Sequence, residues 1–478
     1  MIDNPNRKMD GLHSTTKAGG IPAWPAALET LLSQALRFIG SEAPEQAPVL
    51  READSRFRRR QWTVLVSGLC SVGKSSFVSA LWGDSELLPT AVRDCTQTNT
   101  YVRIPDAGEA DRQVLVSYLS RAEAAAFAAN GFSFYRLAQM LKEVLGPYAP
   151  RLDEMSPEPR LRAALSAVKR LCAQRPEILV LHDYVSDEME QLEQFMAFLD
   201  APQYAAGTTV PAAWSERRDL LMGLRRPDGR TLDVGKLWSL QRVELVRRSA
   251  TQWQGVPPVL VDTPWIPMFH EARRVDLIIE QARHADILVI LALPQQFQFE
   301  DWVLAVFKER PELAPRTLIV FNQVDTIDTL LLLAREGFAA SFRENAQRLA
   351  QHGIAPDNLF MSCARLPFLI GLPQDASVAG RIAKLQQVLS GIRKQIASRP
   401  DGEFKSRLLA ACDPDDAGLV SVRRRLEGLA VEYALKQRAR EALAALEALN
   451  PVLNLAPAAA HEWAVIRKKA EEAEGLIG

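Results

Sequence analysis

A chain of 478 residues, 47% of them hydrophobic, is long enough to bury a sizeable core in two or three domains or one enlarged one, which excludes a disordered or fibrous class. Its 57 lysines and arginines nearly balance its 58 aspartates and glutamates, so net charge gives no reason to expect nucleic acid or an anionic membrane as a partner. The five cysteines are odd in number, scattered and without a C-x-x-C pair, so they read as reduced thiols of a cytoplasmic protein rather than a disulfide framework.

Residues 1–20 are polar and lack an apolar segment, so they are expected to be a disordered N-terminus, with no secretory leader read in them. "AWPAALETLLSQALRFI" at 23–39 has apolar residues at helical spacing, and helices are predicted over 21–60. The arginine run "READSRFRRR" at 51–60 reads as a solvated helix face.

A strand is predicted for "WTVLVS" at 62–67, and "GLCSVGKSS" at 68–76 follows it directly. Glycines at Gly68 and Gly73 let the backbone curl so that successive N–H groups face one anion. "SFVSALWG" then continues with helical spacing, which places a helix N-terminus under that anion. The pattern G-x-x-x-x-G-K-[ST] makes Gly68, Cys70, Ser71, Val72, Gly73, Lys74, Ser75 and Ser76 a phosphate cradle. Lys74 is expected to reach the β- and γ-phosphates, and the Ser75 hydroxyl to bind Mg²⁺.

Asp262 lies 188 positions beyond Lys74, more than a strand and a switch loop need, so an insertion is expected over roughly 105–250. Its runs "SFYRLAQMLKEVL", "RLRAALSAVKRLCAQ" and "DEMEQLEQFMAFL", divided by "GPYAP" and "SPEP", predict that the insertion is helical. "PPVLVDTP" at 257–264 then predicts a buried strand ending at Asp262, a carboxylate able to hold Mg²⁺ through water.

The longest apolar runs, such as "ILVILALP" at 287–294, are strand-length and too short to span a bilayer. "RTLIVFNQVD" at 316–325 ends a strand in Asn322, Gln323 and Asp325, which resembles the guanine-reading Asn-Lys-x-Asp motif of GTPases. In that motif the aspartate accepts from the base's ring N–H and exocyclic amine. "NLFMSCARLPF" at 358–368 gives Ser362 and Cys363 at a strand end, similar to the Ser-Ala-Lys loop whose backbone touches the guanine oxygen. The elements occur in order, each closing a strand, where a nucleotide site on an open α/β sheet belongs. The six histidines have no metal-ligand spacing.

"LLPTAVRDCTQTNTYVRI" at 87–104 resembles the dynamin family, in which the loop helix runs into Leu-Pro-Thr-Gly-Val and a threonine-rich switch. The resemblance covers roughly 60–105, 257–330 and 355–370, and "GLVSVRRRLEGL" at 418–429 has the look of that family's last GTPase helix. It implies an α/β fold: a mainly parallel sheet flanked by helices, with a large helical insertion and a short helical neck bundle from both termini. The domains it implies are neck helices at 21–60, a GTPase domain at 61–430, and a C-terminal neck helix or hairpin at 431–478.

It also implies GTP as substrate and Mg²⁺ as cofactor, with Ser75, Thr96 and Asp262 around the metal and Ser71, Lys74 and Thr96 as the catalytic group. Self-association through the GTPase face is the implied partner, with room for a further protein partner and for membrane contact that is peripheral at most. No nucleic-acid motif is found.

Four departures bear on turnover. Cys70 stands where the family has a water-orienting glutamine, Trp265 replaces a switch glycine, Gln323 replaces the base-covering lysine, and Ala91 replaces another switch glycine. They leave two expectations: a dynamin-like GTPase that hydrolyses GTP to GDP and phosphate, or a non-hydrolysing GTP-dependent scaffold that binds a protein.

Overall fold

The computed structural model describes residues 24–58, 61–89 except 70, 99–124 except 107, short stretches between 166 and 176, 193–221 except 202 and 203, and 239–263 except 255 and 256. It further describes 278–294 except 280, 283 and 284, then 301–327, 337–397, 402–449 and 457–477. Of the sequence-predicted positions, Cys70, Ala91, Thr96, Trp265 and most of the run 125–192 lie outside the described residues.

The chain divides into two compact units, one formed from its two ends and one running from Gln61 to Ala430. In the first, helices α1 (Trp24–Glu42) and α2 (Ala47–Arg58) are joined by helices formed far along the chain. Those are labelled here by place: the C-terminal pair comprises Lys436–Ala448 and Pro457–Ile477, which pack on each other. In the second of these, Trp463, Ile466, Ala470 and Ala473 are buried, a three-and-four spacing that puts one stripe inward. That stripe meets Leu28, Leu32, Ile39 and Leu50, and the ring of Phe38 stacks on Trp463 at 5.6 Å between centroids.

The second unit is built on a nine-stranded mixed sheet. Its strands are β1 (Thr63–Gly68), β2 (Thr100–Arg103), β3 (Gln113–Tyr118), β4 (Thr209–Ala212), β5 (Leu240–Val246), β6 (Val259–Asp262), β7 (Ile287–Ala292), β8 (Thr317–Phe321) and β9 (Leu359–Met361). The spatial order is β4-β3-β5-β2-β6-β1-β7-β8-β9. From β6 through β9 all neighbours are parallel, in registers such as Val66 with Asp262 and Phe321 with Met361. These strands read as continuous apolar runs because helices cover both faces of a parallel sheet. Helix α3 (Lys74–Trp82) follows β1, and helices α4 (Asp301–Glu309), α5 (Gly337–Gln351), α6 (Arg365–Ile370), α7 (Ala376–Ala397), α8 (Glu403–Ala411) and α9 (Leu419–Leu429) complete the described layers.

Most of the expected helical insertion lies outside the described residues, and the described part of that span adds strands as well as helical turns. Between 105 and 250 the chain contributes β3, β4 and β5 to the sheet beyond β2, with β5 parallel to β2 and β3 antiparallel to both β4 and β5. Helical residues are described there as well, at 121–124, 193–200 and Arg217–Leu221 among others, while the strands extend the sheet. What masked these strands is charge. Arg103 on β2 bonds to Glu244 on β5 and to Glu109, and Glu244 is buried. A hydrophobicity reading assigns such residues to the surface, whereas mutual pairing lets them lie within a sheet.

Because β1 lies between β6 and β7, the strand order reverses beside it. The carboxyl ends of five parallel strands therefore open on one edge at a switch point, where open α/β sheets bind ligands.

Candidate functional site

At that edge, Val64 and Val66 are fully buried and fix β1, and the chain then turns sharply. Gly68 has φ of 153°, and a Cβ there would stand 2.5 Å from the Leu291 carbonyl on the neighbouring strand. Ser71 has φ of 59° and Gly73 of 87°, so the loop passes twice through left-handed backbone before α3 begins at Lys74. Alternation of this kind turns successive amides toward a common centre. The first amides of α3 point the same way, since a helix's first turn has no intrahelical acceptors.

The Lys74 side chain is buried, and its Nζ donates to the carbonyls of Gly68 at 3.1 Å and Leu69 at 3.0 Å. The ammonium is thereby held over the loop made by its own neighbours. At the next residue, the Ser75 hydroxyl donates to Oδ2 of Asp262 at 2.7 Å, with Asp262 fully buried at the end of β6. Thr263, absent from the sequence reading, locks that strand end: its Oγ1 donates to the Val66 carbonyl at 2.9 Å. A threonine following the strand-ending aspartate is the signal that would have found it.

A hydroxyl and a carboxylate oxygen already in contact are the right chemistry for Mg²⁺, which takes one or two carboxylates and completes its octahedron with water and phosphate oxygens. An all-protein cage is not the arrangement here. Among the described residues no group of three or more His, Cys, Asp or Glu side chains is placed to hold a metal.

The loops after β8 and β9 meet the first loop at Asn322, which is 1% exposed. Its Nδ2 donates to the Val72 carbonyl at 2.9 Å. Its Oδ1 accepts from the Ser362 hydroxyl at 3.0 Å and from the Ala364 amide at 3.2 Å. Gln323, with φ of 63°, donates from Nε2 to the Ser71 carbonyl at 2.6 Å. Gly73 must be glycine beneath them, because a Cβ would lie 2.8 Å from Asn322 Nδ2.

Asp325 stands beyond Asn322 with its side chain 6% exposed. Its Oδ1 accepts from the Cys363 thiol at 3.4 Å, and its Oδ2 lies 3.4 Å from the guanidinium of Arg365. Burial, then the adjacent Asp325 carboxylate, pushes the Cys363 thiol far above the ordinary range, so it is a neutral donor here. The loop after β9 is pinned from below. The Cys363 amide donates to the Ala417 carbonyl at 3.0 Å, and Gly418, at φ of 77°, lies so near the Met361 carbonyl that any Cβ would collide with it.

The structure thus gathers Gly68, Ser71, Val72, Gly73, Lys74, Ser75, Asp262, Asn322, Gln323, Asp325, Ser362 and Cys363 on one edge, in three bonded groups. Ser362 serves Asn322, and it is Cys363 that faces Asp325. Arg365 joins the group unannounced, because nothing in the sequence ties it to a residue forty positions earlier.

No family model matches the chain, and no curated protein does either. Among solved structures it is similar to two of an oligomerised bacterial dynamin pair, described as providing a mechanism for the long-range sensing and tethering of membranes, each at 11% identity. One overlaps with a TM-score of 0.36 over 96% of this chain and 67% of its own length. The other overlaps with a TM-score of 0.39 over 90% of this chain and 48% of its own, so the chain spans about half of that protein.

Proposed function

We propose that the unit from Gln61 to Ala430 binds GTP with Mg²⁺ and hydrolyses it to GDP and phosphate, with self-association through the face that carries the site raising the rate. The observation that carries this reading is the double attachment of the loop after β1. Ser75 bonds to Asp262 at the end of β6, while Val72 and Ser71 bond to Asn322 and Gln323 after β8. Phosphate-binding and base-reading chemistry are thereby held in one frame.

In this reading the curled amides from Ser71 to Ser75 and the N-terminus of α3 take the phosphate oxygens. Lys74 exchanges its two carbonyl partners for the β- and γ-phosphates. Asp325 accepts the two N–H donors on the guanine edge, which adenine lacks, and the backbone of the loop after β9, with Ser362 and Cys363, is assigned by resemblance to meet the base oxygen. Ser75 and Asp262 are the residues that would hold Mg²⁺, which when bound neutralises charge developing on the phosphates. Water attacks in line, and the protein contributes positioning and charge stabilisation by Lys74, the loop amides and Ser71. Thr96 is assigned by resemblance to close over the γ-phosphate.

A second reading, a GTP-dependent scaffold without turnover, is favoured by Cys70 in place of a water-orienting side chain and by Trp265 in place of a glycine. The deciding experiment is Mg²⁺-dependent phosphate release from GTP, with ATP as control, across a wide range of protein concentrations. Specific activity that rises with concentration supports the self-stimulated GTPase. GTP binding without release at any concentration moves the conclusion to the scaffold, and ATP outcompeting GTP removes both. Lys74→Ala is expected to abolish tight nucleotide binding in either case.

A further inference from the structure

We infer that Arg365 is a built-in competitor of the base for Asp325, so that this arginine sets how tightly a guanine nucleotide is held. The inference rests on the nucleotide-site reading above and adds to it a residue that acts against binding.

The geometry is specific. Asp325 is nearly buried, and a carboxylate in that position must be solvated by some donor when no base is present. Two donors do so. The Cys363 thiol is a weak one at Oδ1, 3.4 Å away and neutral. The Arg365 guanidinium faces Oδ2 at the same distance and carries a full charge. A guanine edge brings two N–H groups to this carboxylate, one toward each oxygen, and at Oδ2 it meets the charged Arg365 guanidinium.

Of the two incumbents only Arg365 is built to leave. Its side chain is 51% exposed at the first position of α6, so it can swing into water and keep its hydration. Cys363 cannot, since it is fully buried and its backbone is tied to Ala417. Arg365 therefore sits over Asp325, and a base that takes Oδ2 turns the guanidinium toward solvent. Every binding event includes the loss of one charge-assisted contact.

The test is calorimetric titration of GDP with Mg²⁺ into the full chain and into Arg365→Gln and Arg365→Lys, with thermal melts to confirm that each variant is folded. Arg365→Gln is expected to bind GDP about fivefold more tightly at low ionic strength, the upper end for a pair with one exposed partner. That ratio should shrink toward one as salt is raised, because screening weakens the wild-type pair. Arg365→Lys, which keeps the charge, should stay near wild type.

Binding that is unchanged or weaker in Arg365→Gln overturns the inference, since the guanidinium would then be a bystander or a contact to the base. Asp325→Ala separates this from failure of the underlying reading. If the wild type binds GDP and Asp325→Ala does not, the guanine site stands whatever Arg365 does. If the wild type takes up no GDP, the site reading and the inference fall together.

Discussion

The side-chain amide of Asn322 donates to the carbonyl of Val72 across 250 residues of sequence, at 2.9 Å and with both residues buried. On its other side the same group accepts from Ser362 and Ala364. Three loops that would otherwise be independent share one amide. Asn322→Ala should leave a carbonyl, a hydroxyl and an N–H buried without these partners, a loss of about 3 kcal/mol in urea denaturation together with loss of guanine-nucleotide binding. Asn322→Asp should be no better than alanine, because it sets an oxygen against the Val72 carbonyl. A loss below about 1 kcal/mol for the alanine variant would show that the loops do not depend on this side chain.

Glycine substitutions separate strain from propensity. Gly73→Ala forces an L-residue to φ of 87° and drives a methyl against Asn322 Nδ2, so it should destabilise the chain and remove nucleotide binding. Gly380 lies within α7 with nothing near its vacant Cβ position. Gly380→Ala should stabilise by about 0.5–1 kcal/mol with binding untouched. Thermal melts of the two variants are expected to move in opposite directions.

Alkaline pH should weaken the second unit through its buried thiols. Burial pushes Cys412 up to about 12, and Cys363 is raised further by burial and by Asp325. An unfolded cysteine ionises near 8.5, so unfolding releases protons once the pH passes that value, while the folded thiols stay neutral. Their contribution is complete below about pH 8.5 and declines as the pH rises toward 12. Denaturation midpoints across pH 7 to 10.5 should fall over the upper part of that window, and less so for Cys412→Ala. Neither thiol should be alkylated by iodoacetamide at pH 8 in the folded chain.

In the unit formed by the chain ends, Trp463 is the largest side chain of the buried stripe on the last helix. Trp463→Ala removes its stack on Phe38 and leaves a cavity, which should destabilise that unit by about 3–5 kcal/mol. Far-ultraviolet circular dichroism should then show an early helical transition separate from that of the sheet-bearing unit.

Much of the site was legible because each of its chemical groups sits within a few residues of a strand end. β1, β6, β8 and β9 announce themselves as short apolar runs, and Lys74, Asp262, Asn322 and Asp325 follow from where those runs stop. The extension of the sheet was not legible for the opposite reason. Arg103 and Glu244 neutralise each other across two strands, and no window of local sequence reports that. The contact of Arg365 with Asp325 was missed in the same way: a pairing between segments that follow two different strands has no periodicity to detect. Thr263 sat one residue beyond a recognised position, where a hydroxyl facing a strand carbonyl looks like any other threonine.

Among the described residues the nine-stranded sheet is open, with β9 and β4 as its outer strands. One rim is β9, three residues long, and the other is β4, four residues long with Pro211 in its middle. The first is brief, and the second carries a proline, which has no backbone donor to offer a ladder. Short or proline-bearing rims of this kind disfavour strand added to strand in an unlimited stack.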